Sequence, residues 1–358
     1  MKFSLHVQTR ITDWQMIKFL EDLGYDAAWV PDTQMMWSDC YATMALAAQN
    51  TSKIHIGTGV AIAGTRIAPT TAAAISSINA IAPGRTFLGI GTGHTAMRVM
   101  GQDPLPIKEF REYLRVVRAM LNGEETEFTY RDKTTSIAWQ NHGTGFRNIE
   151  DPVPIYVAAN GPRALRSAGM YGDGLVSIFN EQKPVLDFNL KHVAEGAEKA
   201  GRDTNDFHTV SLTNAVVLKA GEKLTDDTVI ERAGSWVVTA LHFVYEVWRY
   251  TKDDSVVPEY MKDIWEEYND HVSHFPLPPE KWHQRIHEGH CSFYPTNERK
   301  FITPAMIEGT SMVGGASELA EKIRQAEKNG LREISLLPPL ANIREAAQEF
   351  AQEVIPLC

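Results

Sequence analysis

The feature that most constrains this chain is a repeated alternation of short apolar runs with longer stretches of helical spacing. KFSLHVQ (2–8) reads as a strand, and the following segment sets Trp14, Ile17, Leu20 and Leu23 at helical spacing before a closing Gly24. AAWV (27–30) is a second strand, and SDCYATMALAAQNT (38–51) a helix opened by Ser38 or Asp39. KIHIGTGVAI (53–62) leads to a helix with Pro69 in its first turn, and RTFLGIG (85–91) to the helix at 107–121. Strands this apolar have no wet face, so they belong to a parallel sheet covered by helices.

The rhythm resumes after a hairpin-like region at 126–150. PIYVAA and GLVSI each precede a helix, HTVSLTNAVVLKA (208–220) is a further strand, and ASELAEKIRQAEKNG with REISLLPP supplies the last helix and strand. Eight parallel strands favour a closed (β/α)8 TIM barrel over an open doubly wound sheet. The expectation is one α/β barrel domain over 1–358, with a helical, aromatic-rich insertion at 221–312 before the last βα unit. Such an insertion caps the mouth or builds the surface of a homodimer.

Composition narrows the function classes. The 358 residues are 43% hydrophobic and 22% charged, ample for a large core, and the net charge of -10 with no basic run argues against nucleic acid. No apolar run reaches the length of a membrane span, and the N-terminus lacks the apolar core of a signal peptide. Three widely spaced cysteines without a CxxC pattern suit a reducing, cytoplasmic setting.

In a barrel the reacting groups follow the C-terminal ends of the strands. Those positions hold His6, Gln8 and Thr9; Asp32, Thr33 and Gln34; Thr58, Gly59 and Val60; Thr92, Gly93 and His94; Asn160 to Arg163; and Ser177. ANGPRALR (159–166) is the best anion site, because Asn160 and Gly161 precede a helix with Pro162 in its first turn and Arg163 beside it. The bland alternative is a simple connection with Arg163 facing water. The glycines of GIGTGHTAMRVMG (89–101) follow neither the dinucleotide spacing nor a P-loop, so they are a weak phosphate signal. His283, His287 and His290 share a helical face if a helix continues there, but no HExxH glutamate accompanies them and no metal is expected. Met35, Met36 and Trp37 are equally readable as a substrate wall or as packing.

GYDAAWVPDTQ, KIHIGTGVAIAGTRIAPTTAAA, GRTFLGIGTGHTAMRVMG and VAANGPRALRSAGMYGDGLV, in this order, resemble the bacterial luciferase-like superfamily of flavin-dependent oxidoreductases. Within it the likeness is to the branch resembling methylenetetrahydromethanopterin reductase. It covers about residues 1–220, with a weaker trace at 309–339. The resemblance implies a barrel that holds FMN or the deazaflavin coenzyme F420 across its C-terminal mouth. The ring would rest on a bulge at Thr58, Gly59 and Val60, where the family often carries a non-prolyl cis peptide. The phosphate would sit at Asn160, Gly161, Pro162 and Arg163, near Ser177, with Thr92 and Gly93 along the ring and ribityl side.

Asp32 matches a cofactor-facing polar position of deazaflavin members, although Thr33 stands where many carry His. His94 matches a position where some relatives have a Glu proton donor, and a structural hydrogen bond is the equal alternative. His6, Gln34 and His290 are the substrate-side candidates. The leading expectation is an FMN-dependent monooxygenase that receives reduced FMN from a separate flavin reductase and transfers oxygen to a small organic molecule. A deazaflavin-dependent reductase or dehydrogenase is the alternative, and a non-catalytic flavin-binding barrel is the reading from another class.

Overall fold

The computed structural model describes residues 1–358. Along the chain the strands are β1 (Lys2–His6), β2 (Ala27–Val30), β3 (His55–Thr58), β4 (Ala61–Ile62), β5 (Thr86–Gly91), β6 (Thr126–Tyr130), β7 (Lys133–Ile137), β8 (Ile155–Ala158), β9 (Gly174–Ile178), β10 (His208–Thr213), β11 (Ala215–Val217), β12 (Met312–Gly314) and β13 (Glu333–Leu336). The helices are α1 (Trp14–Leu23), α2 (Cys40–Asn50), α3 (Ala68–Ile81), α4 (His94–Arg98), α5 (Ile107–Leu121), α6 (Pro162–Tyr171), α7 (Lys183–Lys199), α8 (Asp227–Thr251), α9 (Lys262–Ser273), α10 (Pro304–Thr310), α11 (Ala316–Lys328) and α12 (Ile343–Glu349).

The chain divides into two compact units. The first comprises Met1–Arg98, Asp103–Leu212 and Ala326–Ser335. Its sheet runs β3-β2-β1-β13-β10-β9-β8-β5-β4, and a further β3–β5 pairing closes it into a parallel barrel of eight staves, with β4 as a short continuation beyond β3. The eight-stranded (β/α)8 expectation therefore holds. Side-chain alternation sends Trp29, Phe87, Val176 and Val210 inward, packed with Tyr156, Ala158 and Leu212. Outside, α6 and α7 touch backbone to backbone: a Cβ on Gly169 would lie 2.0 Å from the Val193 carbonyl oxygen, and one on Gly196 2.0 Å from that of Arg166.

The second unit comprises Val99–Gln102, Thr213–Gln325 and Leu336–Cys358. It contains α8, α9 and α10, with a core built on Val237, Leu241, Tyr268, Phe301 and Met306. Tyr268 meets Tyr245 and Phe301 edge to face at 5.5 and 5.2 Å, which accounts for the aromatic richness read in the sequence. No helix is long and apolar enough to cross a membrane.

Two sequence expectations need correction here. The single strand read at 208–220 is two: β10 belongs to the barrel, whereas β11 pairs with β12 in a separate ribbon. Asn214 makes the break, its carbonyl accepting from the Met312 N–H at 2.8 Å and its amide donating to the Arg232 carbonyl at 3.0 Å. His283, His287 and His290 share no helical face. Pro278 and Pro279 start a 3-10 segment that ends at Gln284, turns follow, and Gly289 takes φ +73°. His287 instead faces Glu246 at 3.3 Å, and its ring meets that of His290 at 5.5 Å.

Candidate active site

The upper lumen of the barrel is lined by what its strands omit. Gly59, just past the end of β3, and Gly89 and Gly91 of β5 each press their backbone on a neighbour. A Cβ on Gly59 would lie 2.6 Å from Trp29 Cβ and 2.8 Å from His6 Cδ2, and one on Gly89 2.2 Å from the Thr58 carbonyl oxygen. With Ala158 opposite Gly91, small residues form one wall of this end, a surface suited to a flat ring. The Gly59–Val60 peptide is cis, as the resemblance implied, and it separates β3 from β4. Thr58 is fully buried beneath it and donates to the Gly89 carbonyl at 2.6 Å.

Below this wall the lumen is polar, which alternation alone did not reveal. The Glu333 carboxylate accepts from Trp29 Nε1 at 2.9 Å and from Ser4 Oγ, and it pairs with His208 Nε2 at 2.7 Å. Burial would raise its pKa, but His208, Ser4 and Trp29 outweigh that and hold it below the ordinary carboxylate range. His6 stacks on Trp29 at 5.2 Å and meets Ser335 Oγ through Nδ1 at 2.8 Å. Burial brings its pKa down to about 3 against the opposing charge of Glu333, so the imidazole is neutral at physiological pH.

Asp32 follows β2 and is only 3% exposed. Its Oδ2 accepts from Arg66 Nη1 at 2.5 Å and from the Ile62 N–H at 3.3 Å. Burial raises its pKa and Arg66 pulls the other way. The sequence reading missed Arg66, which sits 34 residues from Asp32, in the loop between β4 and α3. Gln34 is exposed and donates to the Ala96 carbonyl at 2.9 Å, tying the loop after β2 to α4. Met35 is 65% exposed, whereas Met36 and Trp37 are half-buried.

The GIGTGH loop turns into α4 at His94. Gly93 has φ +86°, and a Cβ there would lie 2.4 Å from Ile62 Cγ2, so only glycine fits. The Thr92 carbonyl accepts from the Leu105 N–H at 3.0 Å, and His94 is half-buried at the helix start.

The candidate anion segment opens a helix, as its sequence predicts. Asn160, Gly161, Pro162 and Arg163 are exposed, and α6 begins at Pro162 with no side-chain cap on its first N–H groups. Open space surrounds the position of a Cβ on Gly161. Ser177 Oγ donates to Asn160 Oδ1 at 2.5 Å, and Asn189 donates to Ser177 at 3.3 Å and to Asn180 at 2.7 Å, so Asn160 is braced from β9 and α7. In the loop after β1, the buried hydroxyl of Thr9 has no protein partner. A small-residue wall, an uncapped helix start with an adjacent Arg and an orphaned hydroxyl together fit a flat, phosphorylated cofactor. His290 lies in the second unit, half-buried, its N–H donating to the His287 carbonyl at 3.1 Å. No group of three or more His, Cys, Asp or Glu is arranged to hold a metal ion.

The fold is a parallel (β/α)8 barrel whose C-terminal end carries these small and polar residues. The family model for luciferase-like monooxygenase matches residues 14–333, and the chain belongs to that family. It is 35% identical over 195 residues to the 5,10-methylenetetrahydromethanopterin reductase of Methanolobus tindarius, a match covering 53% of this chain and 56% of that relative. It is 30% identical over 255 residues to the F420-dependent hydroxymycolic acid dehydrogenase of Mycobacterium tuberculosis, covering 64% and 61%. The chain thus spans little more than half the length of these relatives. Its fold superposes on the coenzyme F420 dependent tetrahydromethanopterin reductase of Methanopyrus kandleri with a TM-score of 0.72, at 23% identity and covering 99% and 98% of the two chains.

Proposed function

We propose that this protein transfers hydride between a deazaflavin of the coenzyme F420 type and a small organic substrate. The observation that carries the reading is Asp32, a nearly buried carboxylate fixed by Arg66 at the position where deazaflavin members of the family place a cofactor-facing polar group. The reductase and dehydrogenase names of the relatives support it over the oxygenase expected from the resemblance. Bound deazaflavin would supply the hydride donor or acceptor.

The chain supplies the rest. The α6 start, Asn160 and Arg163 hold the phosphate, and Thr58, Gly59 and Val60 support the ring with Thr92 and Gly93 at its side. Neutral His6 and Gln34 on the barrel unit are the polar groups assigned to substrate. His94 is assigned the proton, because it stands half-buried at the start of α4 and an imidazole can both give and take one.

The family's description as a luciferase-like monooxygenase favours a second reading, with reduced FMN, oxygen and a partner flavin reductase. Anaerobic incubation with oxidised coenzyme F420 and a panel of alcohols separates the two. Bleaching of the deazaflavin absorbance without oxygen is expected. Turnover seen only with reduced FMN and oxygen uptake would support the monooxygenase instead. The phosphate assignment has its own check. Arg163→Ala should weaken phosphorylated cofactor about tenfold, the scale of one charge-assisted contact, and leave the dephosphorylated form nearly unchanged in equilibrium dialysis. Equal losses for both would remove Arg163 from the phosphate.

A further inference from the structure

Arg66 joins three separate segments. Its Nη1 reaches Asp32 Oδ2 at 2.5 Å in the loop after β2, and its Nη2 reaches Asp39 Oδ2 at 2.9 Å at the start of α2. Its guanidinium carbon also lies 4.9 Å from the centre of the Tyr41 ring. The two carboxylates differ. Asp32 is 3% exposed and Asp39 54%, so the inner pair is desolvated whereas the outer one remains in water.

Several titratable groups surround the pair. The Cys40 thiol and the Tyr41 ring stand in the first turn of α2, and Tyr113 reaches in from α5 with its hydroxyl 2.6 Å from Thr71 Oγ1. Arg66 is the cation among Asp32, Asp39, Cys40, Tyr41 and Tyr113. Asp39 Oδ1 also caps α2 by accepting from the Ala42 N–H at 2.9 Å, so that end of the clamp is tied to the helix.

We infer that Arg66 is a positioning residue that acts through Asp32, holding its carboxylate ionised and fixed at the lip after β2 as a permanent acceptor for the cofactor. This rests on the deazaflavin reading for the identity of the cofactor, although the Asp32–Arg66 coupling can be read without it. The inference changes the role of Asp32. Its Oδ2 already takes two donors, so it serves as a fixed anion, and proton traffic falls to His94.

The physical reason lies in the balance of effects on the carboxyl. Burial favours its neutral form, and Arg66, the Ile62 N–H and the Cys40 thiol favour the anion. Loss of the guanidinium leaves burial less opposed, so Asp32 would take up a proton at a higher pH. A neutral carboxyl in this place has a changed donor and acceptor pattern and no charge, and cofactor binding falls with it.

The test uses the full-length protein with Arg66→Met, Arg66→Lys, Asp32→Asn and the Asp32→Asn/Arg66→Met double variant. The Asp32 carboxyl carbon, labelled with carbon-13 and assigned by its loss in Asp32→Asn, is titrated by NMR. Its midpoint should rise by at least about one pH unit in Arg66→Met and return toward the wild-type value in Arg66→Lys. An unmoved midpoint overturns the inference whether or not deazaflavin binds.

Coenzyme F420 affinity gives the second readout. Arg66→Met and Asp32→Asn should each weaken it about tenfold, and the double variant no more than either alone. Additive losses would show that Arg66 acts independently of Asp32 and would also overturn the inference. Failure of the wild-type protein to bind deazaflavin would sink the functional reading, while the NMR titration would still decide the coupling.

Discussion

Glu333→Ala is expected to lower the unfolding free energy by about 3–5 kcal/mol, the range for breaking a buried charged network by removing one partner. The carboxylate is 3% exposed and serves Ser4, Trp29 and His208, from three different staves of the barrel. Its removal leaves these groups desolvated without their acceptor, and Trp29 carries the stacked His6. Glu333→Gln keeps the shape but faces donors with a donor, so a smaller loss of about 1–3 kcal/mol is expected. Denaturant titration measures both. Changes within 0.5 kcal/mol, the range for an ordinary surface site, would show that the lumen network is dispensable.

The same network sets the acid response. Glu333 has a folded pKa below its unfolded value, so its contribution is fully present above about pH 4.3 and is lost as pH falls toward the folded pKa. His6 has a folded pKa of about 3 against about 6.5 unfolded, so below pH 6.5 the unfolded chain binds its proton first. Both push the same way. Stability should begin to fall near pH 6.5 and fall more steeply below about 4.5, and Glu333→Gln should flatten the lower part of that decline.

The second large effect is Gly89→Ala. The added methyl carbon would lie 2.2 Å from the Thr58 carbonyl oxygen, 2.7 Å from Trp29 Cζ3 and 3.1 Å from Val60 Cγ1. The nearest atom belongs to the backbone and cannot rotate away, so the segment proposed to support the ring must shift. We expect a loss near 3 kcal/mol, the upper end of ordinary overpacking, and at least about tenfold weaker cofactor binding. Gly161→Ala is the control. Nothing lies within 4 Å of its added carbon, so stability should stay within about 0.5 kcal/mol. Equal losses of stability from the two changes would contradict the close packing at Gly89.

The barrel was legible because each stave is a short apolar run followed by a helix, a pattern that depends on nearest neighbours in sequence. The break at Asn214 was not, because the side-chain and backbone bonds that redirect the chain there reach residues remote in sequence. Glu333 and His208 begin their strands and so read as polar ends, yet closure of the barrel turns both inward onto each other. Arg66 was equally silent: only the fold brings it to Asp32. The helix start at Asn160 to Arg163 was legible because its signal is local, a glycine and a proline. The helical face open to His283, His287 and His290 is not formed, because Pro278, Pro279 and Gly289 interrupt the segment locally.

The central claim is the identity of the cofactor, and equilibrium binding under anaerobic conditions tests it most directly. The purified protein, freed of bound small molecules, is titrated in parallel with coenzyme F420 and with FMN, each oxidised and reduced. The account predicts at least about tenfold tighter binding of coenzyme F420, equivalent to about 1.4 kcal/mol. Tighter binding of FMN in its reduced form, or no binding of either cofactor, would contradict it.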